Sequence, residues 1–206
     1  NAPPLGHATS LSLAHRTGHT HGMRIHHLNC ATMRPPLAPP MVAHVLLIEH
    51  TDSLILVDSG FGTDDLADTG RLGTPFRLAV RPTFDPAETA LAQVRRLGLD
   101  PGAVTDIVLT HLDLDHAGGL GDFPAARVHV HADELAAARA RRHPREKGRY
   151  LHVQWAHRPH WVEHRADPRG GGEDWFGFEA VRAVGLPVAA VVLARWPADP
   201  DRVQLD

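Results

Sequence analysis

Four side chains that can bind a metal ion lie within six consecutive residues of this sequence. The stretch Thr110–Gly119 reads THLDLDHAGG, and its candidate ligands are His111, Asp113, Asp115 and His116. Imidazole nitrogens and carboxylate oxygens are the usual zinc ligands besides thiolates. The two intervening leucines alternate with the polar residues, so one face of the segment can carry ligands while the other packs inward. The alternative interpretation is a polar loop in which two histidines occur by chance.

A further carboxylate, Asp58, stands at the end of an apolar run in the sequence VDSGFG. A carboxylate in such a position can accept the second ring N–H of a metal-binding histidine and so fix the orientation of the ring. Aspartate also stabilises turns by bonding to nearby backbone groups. The local sequence leaves both roles open for Asp58.

The elements that must position these residues are predicted from apolar runs and their punctuation. Apolar runs between turn residues predict strands at 24–30, 41–49, 53–57, 105–109, 126–130, 175–181 and 188–193. The second and third of these are separated only by His50-Thr51-Asp52, which indicates an antiparallel hairpin. The strand at 105–109 leads directly into the candidate ligands.

Two helices are predicted between the strands. The first begins at Asp85, with Pro86 at its first position and Glu88 completing a capping box, and Gly98 ends it. The second runs from Asp133 to Arg142, with acidic residues in its first turn and arginines in its last, as the helix dipole favours. We expect a loop with a short helix over 63–84. Residues 143–173 are predicted to be irregular, either a substrate-facing lid or a surface loop with scattered histidines.

Composition narrows the class of protein. The chain has 206 residues, of which 43% are apolar and 22% charged, enough for one domain with a real core or two small ones. A formal net charge of −3 gives no electrostatic reason to bind nucleic acid or an anionic membrane. A single cysteine, Cys30, excludes an intramolecular disulfide. No apolar run approaches the ~20 residues that span a bilayer. We expect a cytoplasmic protein whose partner is a small-molecule substrate.

The remaining histidines and the N-terminal residues are interpreted separately. The chain has 17 histidines. A histidine-rich storage protein is one possible function, but most of these histidines are not at ligand spacing. Residues 1–22 contain prolines and glycines without a sustained apolar period, and we predict a disordered extension followed by a domain over 23–206. Met23 is an alternative translation start. A serine hydrolase is disfavoured because no GxSxG motif is present.

The HLDLDH motif, the strand-end Asp58 and the order hairpin, helix, strand, motif together resemble the metallo-β-lactamase superfamily, and most of all its lactonase and glyoxalase-II-like hydrolases. The resemblance implies an α/β fold, the αβ/βα sandwich, with two divalent metals, zinc in the first instance, at one edge. It implies that His111 and Asp113 bind one metal and that Asp115 and His116 bind the other. A metal-bound hydroxide would attack an ester, lactone or thioester carbonyl, and Asp115 would orient or deprotonate the water. The family more often has histidine at the position of Asp113.

The sequence departs from the family pattern in its last part. The family adds a histidine from a GHxxGH-like turn, a bridging aspartate and a final histidine, whereas no histidine follows His164 here. Asp199 has no context that makes it a bridge, while His129, His131 or a histidine of the predicted lid could complete a site. We therefore expect largely the N-terminal half of the sandwich with the second half incomplete, and hypothesise a truncated or altered-frame product. The alternative function is a non-catalytic remnant with weak or no metal binding. A homodimer could bury the open face.

Overall fold

A mixed seven-stranded sheet is the centre of the structure, a computed structural model that describes residues 10–12, 23–50, 53–165, 179–183 and 192–195. Its strands lie side by side in chain order: β1 (Ser10–Ser12), β2 (Arg24–Met33), β3 (Met41–His50), β4 (Ser53–Val57), β5 (Val104–Val108), β6 (Arg127–His131) and β7 (His160–His164). Strands β8 (Glu179–Ala183) and β9 (Val192–Arg195) form a separate antiparallel pair.

The helices of the described residues are short. They are α1 (Thr63–Ala67), α2 (Thr74–Val80), α3 (Ala90–Arg96), α4 (Leu114–Ala117), α5 (Ala132–Ala140) and α6 (Pro144–Arg149). Single 3-10 turns occur at Thr69–Leu72, Pro86–Glu88, Pro101–Ala103, Gly118–Asp122 and His152–Trp155. Within these same residues, none of the helices is long and apolar enough to cross a membrane.

The first strands pair antiparallel, and the predicted hairpin of β3 and β4 is confirmed. Neighbouring residues of a strand point to opposite faces of the sheet. Leu47 and Leu56 accordingly pack in the main core, while Ile48 and Ile55 belong to a second apolar cluster. Burial on both faces explains why these strands read as nearly continuous apolar runs. β1, which falls in the predicted extension, pairs antiparallel with β2, and the rest of that extension lies outside the described residues.

Strands β4 to β7 pair parallel, so their carboxyl ends meet at one edge of the sheet. Val94 of α3 and Leu135 of α5 pack in the same core cluster as Ile107 and Val128 of the sheet. Helices connecting parallel strands must bury their apolar side against the sheet, and this packing fixes the crossovers. The edge where Asp58 and the candidate ligands emerge is therefore the carboxyl edge, where open α/β sheets commonly bind ligands.

The prediction that an α-helix begins at Asp85 is wrong for its first turn. Asp85 caps only the 3-10 turn, by accepting a hydrogen bond from Ala87 N, and Thr89 caps α3 by accepting from Ala92 N. Glu88 does not bond back to Asp85; it accepts the backbone N–H of Thr32 in β2 at 2.7 Å. The hydrogen bond to β2 took precedence over the local capping pattern.

The segment predicted as irregular contains regular structure. Helix α6 has Pro144 in its first turn, and Glu146 accepts the N–H of His143. Strand β7 pairs parallel with β6 along its whole length. Residues 166–178 and 184–191 lie outside the described residues, so the strand predicted at 175–181 is described only from Glu179 and the one at 188–193 only from Val192.

Candidate metal centre

The candidate ligands follow β5 directly at the carboxyl edge. Residues 111–113 have no regular secondary structure, and α4 begins at Leu114 with His116 N–H and Ala117 N–H both bonded to the carbonyl of Asp113. Leu112 is fully buried in the main core, and Leu114 is buried in the cluster that contains Phe61. The side chains of the four candidate ligands retain between 21% and 34% of their exposure. The predicted division into inward leucines and outward polar residues is confirmed.

Asp58 joins the end of β4 to this segment through both of its carboxylate oxygens. Oδ1 accepts the backbone N–H of Thr110 at 2.8 Å, and Oδ2 accepts the hydroxyl of Thr110 at 2.7 Å. Oδ2 also lies 2.9 Å from Nδ1 of His116. Asp58 is buried and has a positive φ of 62°, a conformation that aspartate tolerates better than most residues. With Nδ1 donating to Asp58, Nε2 of His116 is the nitrogen left available to a metal ion.

The turn after Asp58 packs tightly against the turn after His116. Ser59 donates from both its backbone N–H and its hydroxyl to the carbonyl of His116, at 2.9 and 2.8 Å. Gly119 N–H donates to the carbonyl of Gly60 at 2.9 Å. A Cβ placed on Gly118 would collide with Oδ2 of Asp65 and lie 2.9 Å from the carbonyl of Gly60. These glycines are required because two backbones approach more closely than side chains permit.

Asp65 packs beside Gly118 at this contact. Its carboxylate is fully buried and accepts the N–H of Gly62 at 3.2 Å, the Nε–H of Arg71 at 3.1 Å and the amide of Gln154 at 3.1 Å. Burial raises the pKa of Asp65 more strongly than these hydrogen bonds lower it. Sequence reasoning missed Asp65 and also missed Thr110. The available signal for Thr110 was only its position beside a candidate ligand.

The four candidate ligands stand in two pairs. His111 Nε2 lies 3.5 Å from Asp113 Oδ2, and His116 Nε2 lies 3.5 Å from Asp115 Oδ2. The two imidazole rings connect the pairs, with centroids 3.9 Å apart. Over the described ranges, no three His, Cys, Asp or Glu side chains are arranged to enclose one ion. The donor atoms nevertheless match a divalent metal, because each pair combines an imidazole nitrogen with a carboxylate oxygen.

The carboxylates of Asp58 and Asp115 stabilise positive charge at His116. Burial lowers the pKa of His116, but its hydrogen bonds to Asp115 and Asp58, together with their charges, raise it to about 10. Burial raises the pKa of Asp115, but the hydrogen bond and charge of His116 lower this pKa by more, so the carboxyl remains ionised. Protons compete with a metal ion for the same nitrogen, so metal binding there releases a proton.

The other residues considered for the site are placed elsewhere or are not described. His129 is buried in β6 and is bonded to Asp106 Oδ1 at 2.8 Å and to His164 Nε2 at 2.9 Å. His131 caps α5 by accepting from Asp133 N–H. Asp199 lies outside the described residues. The predicted ligands therefore come together at one edge, whereas the histidines of β6 belong to the sheet.

Comparisons with known protein sequences identify relatives. The family model described as the metallo-beta-lactamase superfamily matches residues 38–192. A protein named a probable metallo-hydrolase of Mycobacterium tuberculosis is 45% identical over 175 residues, which are 85% of this chain and 54% of the relative. The N-acyl homoserine lactonase AiiB of Agrobacterium fabrum is 36% identical over 93 residues, or 45% of this chain and 33% of the relative. The chain spans about half the length of the first of these relatives.

Solved structures show the same fold. An N-acyl homoserine lactone hydrolase with the product N-hexanoyl-L-homoserine bound at its catalytic metal centre matches with a TM-score of 0.56 and 21% identity, over 71% of this chain and 61% of that one. AidC, a dizinc quorum-quenching lactonase in complex with a product, matches with a TM-score of 0.51 and 15% identity, over 91% and 69% of the two chains. At these identities the likeness concerns the fold.

Proposed function

Because this chain belongs to the metallo-β-lactamase superfamily, as its motif predicted, we propose that it is a metal-dependent hydrolase of a small ester, lactone or thioester. The α/β fold predicted from the resemblance is confirmed. The observation that carries the proposal is the contact of Asp58 with His116, which orients a candidate ligand at the carboxyl edge. Lactones are the first substrates to test, because a curated relative and a fold neighbour are both named for lactone hydrolysis.

In the proposed site, His111 and Asp113 would hold one zinc ion, and Asp115 and His116 would hold a second. Bound zinc polarises a substrate carbonyl and lowers the pKa of water to ~7. The protein's own contribution begins with Asp58, whose carboxylate keeps a proton on Nδ1 of His116. Nε2 is therefore the nitrogen left to bind the metal ion. Thr110 stabilises that carboxylate with two hydrogen bonds.

Asp115 is the proposed catalytic residue. Its carboxyl is kept ionised by His116, and 21% of the side chain remains exposed at the edge of the sheet. An ionised carboxylate that is reachable from solvent can accept a hydrogen bond from the attacking water and take its proton. In this role Asp115 orients the nucleophile, while Asp58, which is buried, acts only through His116.

Metal analysis of the purified chain tests the proposal. We expect about two equivalents of zinc per chain, lost in part in each of His111→Ala and His116→Ala, together with hydrolysis of a lactone or thioester. His44→Ala is the matched control, because His44 is an exposed histidine of β3 stacked on His27. If the chain binds no zinc and hydrolyses none of these substrates, the proposal is refuted for this chain.

A non-catalytic protein that binds metal weakly or not at all is the second candidate function. The observation that favours it is the pairwise arrangement of the donors, with no group of three suited to one ion among the residues the structure describes. A catalytic zinc ion generally has three protein ligands and water. Weak zinc binding that is lost in His116→Ala, combined with the absence of turnover, would select this candidate over the hydrolase.

A further inference from the structure

We propose that Arg149 is a positioning residue for the metal centre, which fixes the Asp113 carboxylate and offsets its charge so that Asp113 binds a metal ion through one oxygen. This inference rests on the proposed function and adds a residue from a segment that the HLDLDH motif does not include. Arg149 is the last residue of α6, and 36 positions separate it from Asp113 in the chain.

The two oxygens of Asp113 have different partners. Nε–H of Arg149 donates to Oδ1 at 2.6 Å, which is a short charge-assisted hydrogen bond. Oδ2 instead lies 3.5 Å from Nε2 of His111, on the side of the other candidate ligands. The hydrogen bond to Oδ1 restrains the carboxylate in the orientation that directs Oδ2 to the site. Carboxylates that bind metals are generally held in this way by hydrogen bonds.

Besides Asp113, two groups hold Arg149. Its guanidinium carbon lies 4.9 Å from the ring centroid of Tyr150, which is a cation–π contact on a buried ring. Its Nη2 atom lies 3.7 Å from Oε1 of Glu134 in α5. The same Oε1 accepts the backbone N–H of Leu112 at 2.9 Å. Arg149 and Glu134 therefore contact both the side chain and the backbone of the motif, so they restrain its geometry together.

Charge supports the same role. Asp113 and Asp115 each bring a negative charge to the motif, and only Asp115 is paired with His116. The guanidinium beside Asp113 offsets the second charge without occupying Oδ2. Because about half of the Arg149 side chain is exposed, solvent screens part of this interaction, and the directional hydrogen bond contributes more than the charge alone.

Zinc affinity tests the inference, measured by competition with a chelator and, with Co²⁺ as the probe, by the visible spectrum of the bound ion. We expect Arg149→Met to weaken one site by about 10–100-fold and to change the Co²⁺ spectrum, with Arg149→Lys intermediate. Arg139→Met is the matched control, because Arg139 forms a comparable exposed ion pair with Glu163 at 3.0 Å, away from the motif. Its affinity should equal that of the wild type.

A second background separates positioning from general damage. In Asp113→Asn the carboxylate is absent, so adding Arg149→Met should cause little further loss of zinc affinity. Unchanged or tighter zinc binding by Arg149→Met overturns the inference, the latter because it would mean that the guanidinium competes with the metal. If Arg149→Met does not fold, full wild-type affinity in Arg149→Lys overturns it. No zinc binding by the wild-type chain overturns the proposed function as well.

Discussion

Replacing Asp58 with asparagine tests the proposed orientation of His116 most directly. Asparagine has nearly the same shape and also tolerates the φ of 62°, so the backbone should not change. One amide position can still accept the N–H of Thr110. The other becomes a donor that faces the Thr110 hydroxyl and Nδ1 of His116, where a carboxylate oxygen now accepts at 2.7 and 2.9 Å.

The magnitude follows from these two contacts. The hydroxyl can rotate to accept from the new amide, whereas a neutral His116 can do so only by moving its proton from Nδ1 to Nε2. Losing the hydrogen bond to a buried carboxylate costs about 2 kcal/mol of unfolding free energy. A proton on Nε2 blocks the nitrogen that would bind the metal ion. Loss of a hydrogen-bond partner such as the Asp58 carboxylate weakens metal binding by about 10–100-fold.

Three measurements check the result. Urea denaturation gives the unfolding free energy, zinc titration gives the affinity, and long-range ¹H–¹⁵N spectra of the zinc-loaded protein identify the protonated nitrogen of His116. Asp100→Asn is the control, because exposed Asp100 accepts one hydrogen bond from Gly102 N–H in a turn. Wild-type zinc affinity in Asp58→Asn, with the proton still on Nδ1, would refute the reasoning.

Two further predictions concern stability. Gly118→Ala should lower the unfolding free energy by about 1–3 kcal/mol, since its Cβ would collide with Asp65, whereas Gly148→Ala has open space and should not be destabilising; urea denaturation compares them. Burial raises the pKa of Asp106, but hydrogen bonds from Arg127 and His129 outweigh burial and hold this pKa below its ordinary value of 3.8. Asp106→Asn should therefore lower the unfolding free energy by about 2 kcal/mol at pH 7. The stabilisation by ionised Asp106 is lost as pH falls through the folded pKa, so the difference between wild type and variant should shrink below pH 3.8. Urea denaturation at a series of pH values measures this difference.

Local patterns predicted the elements that depend on local energetics. The apolar runs of β3 and β4 and the short turn between them specified a hairpin, because strand periodicity and turn residues act within a few positions. The same reasoning failed at Glu88, whose carboxylate is bonded to Thr32, 56 residues away. It also missed α6 and β7, where histidines and prolines obscure the periodicity and pairing with β6 stabilises the strand.

The sequence by itself determined the donor types, their spacing and their place after an apolar strand, because these are properties of consecutive residues. Only the tertiary structure decided which groups hold those donors. Asp58 contacts His116 because β4 and β5 pair in parallel and bring their carboxyl ends together. Arg149 contacts Asp113 because α6 ends beside the motif. Such contacts depend on which elements are neighbours in space, and no spacing along the chain encodes that choice.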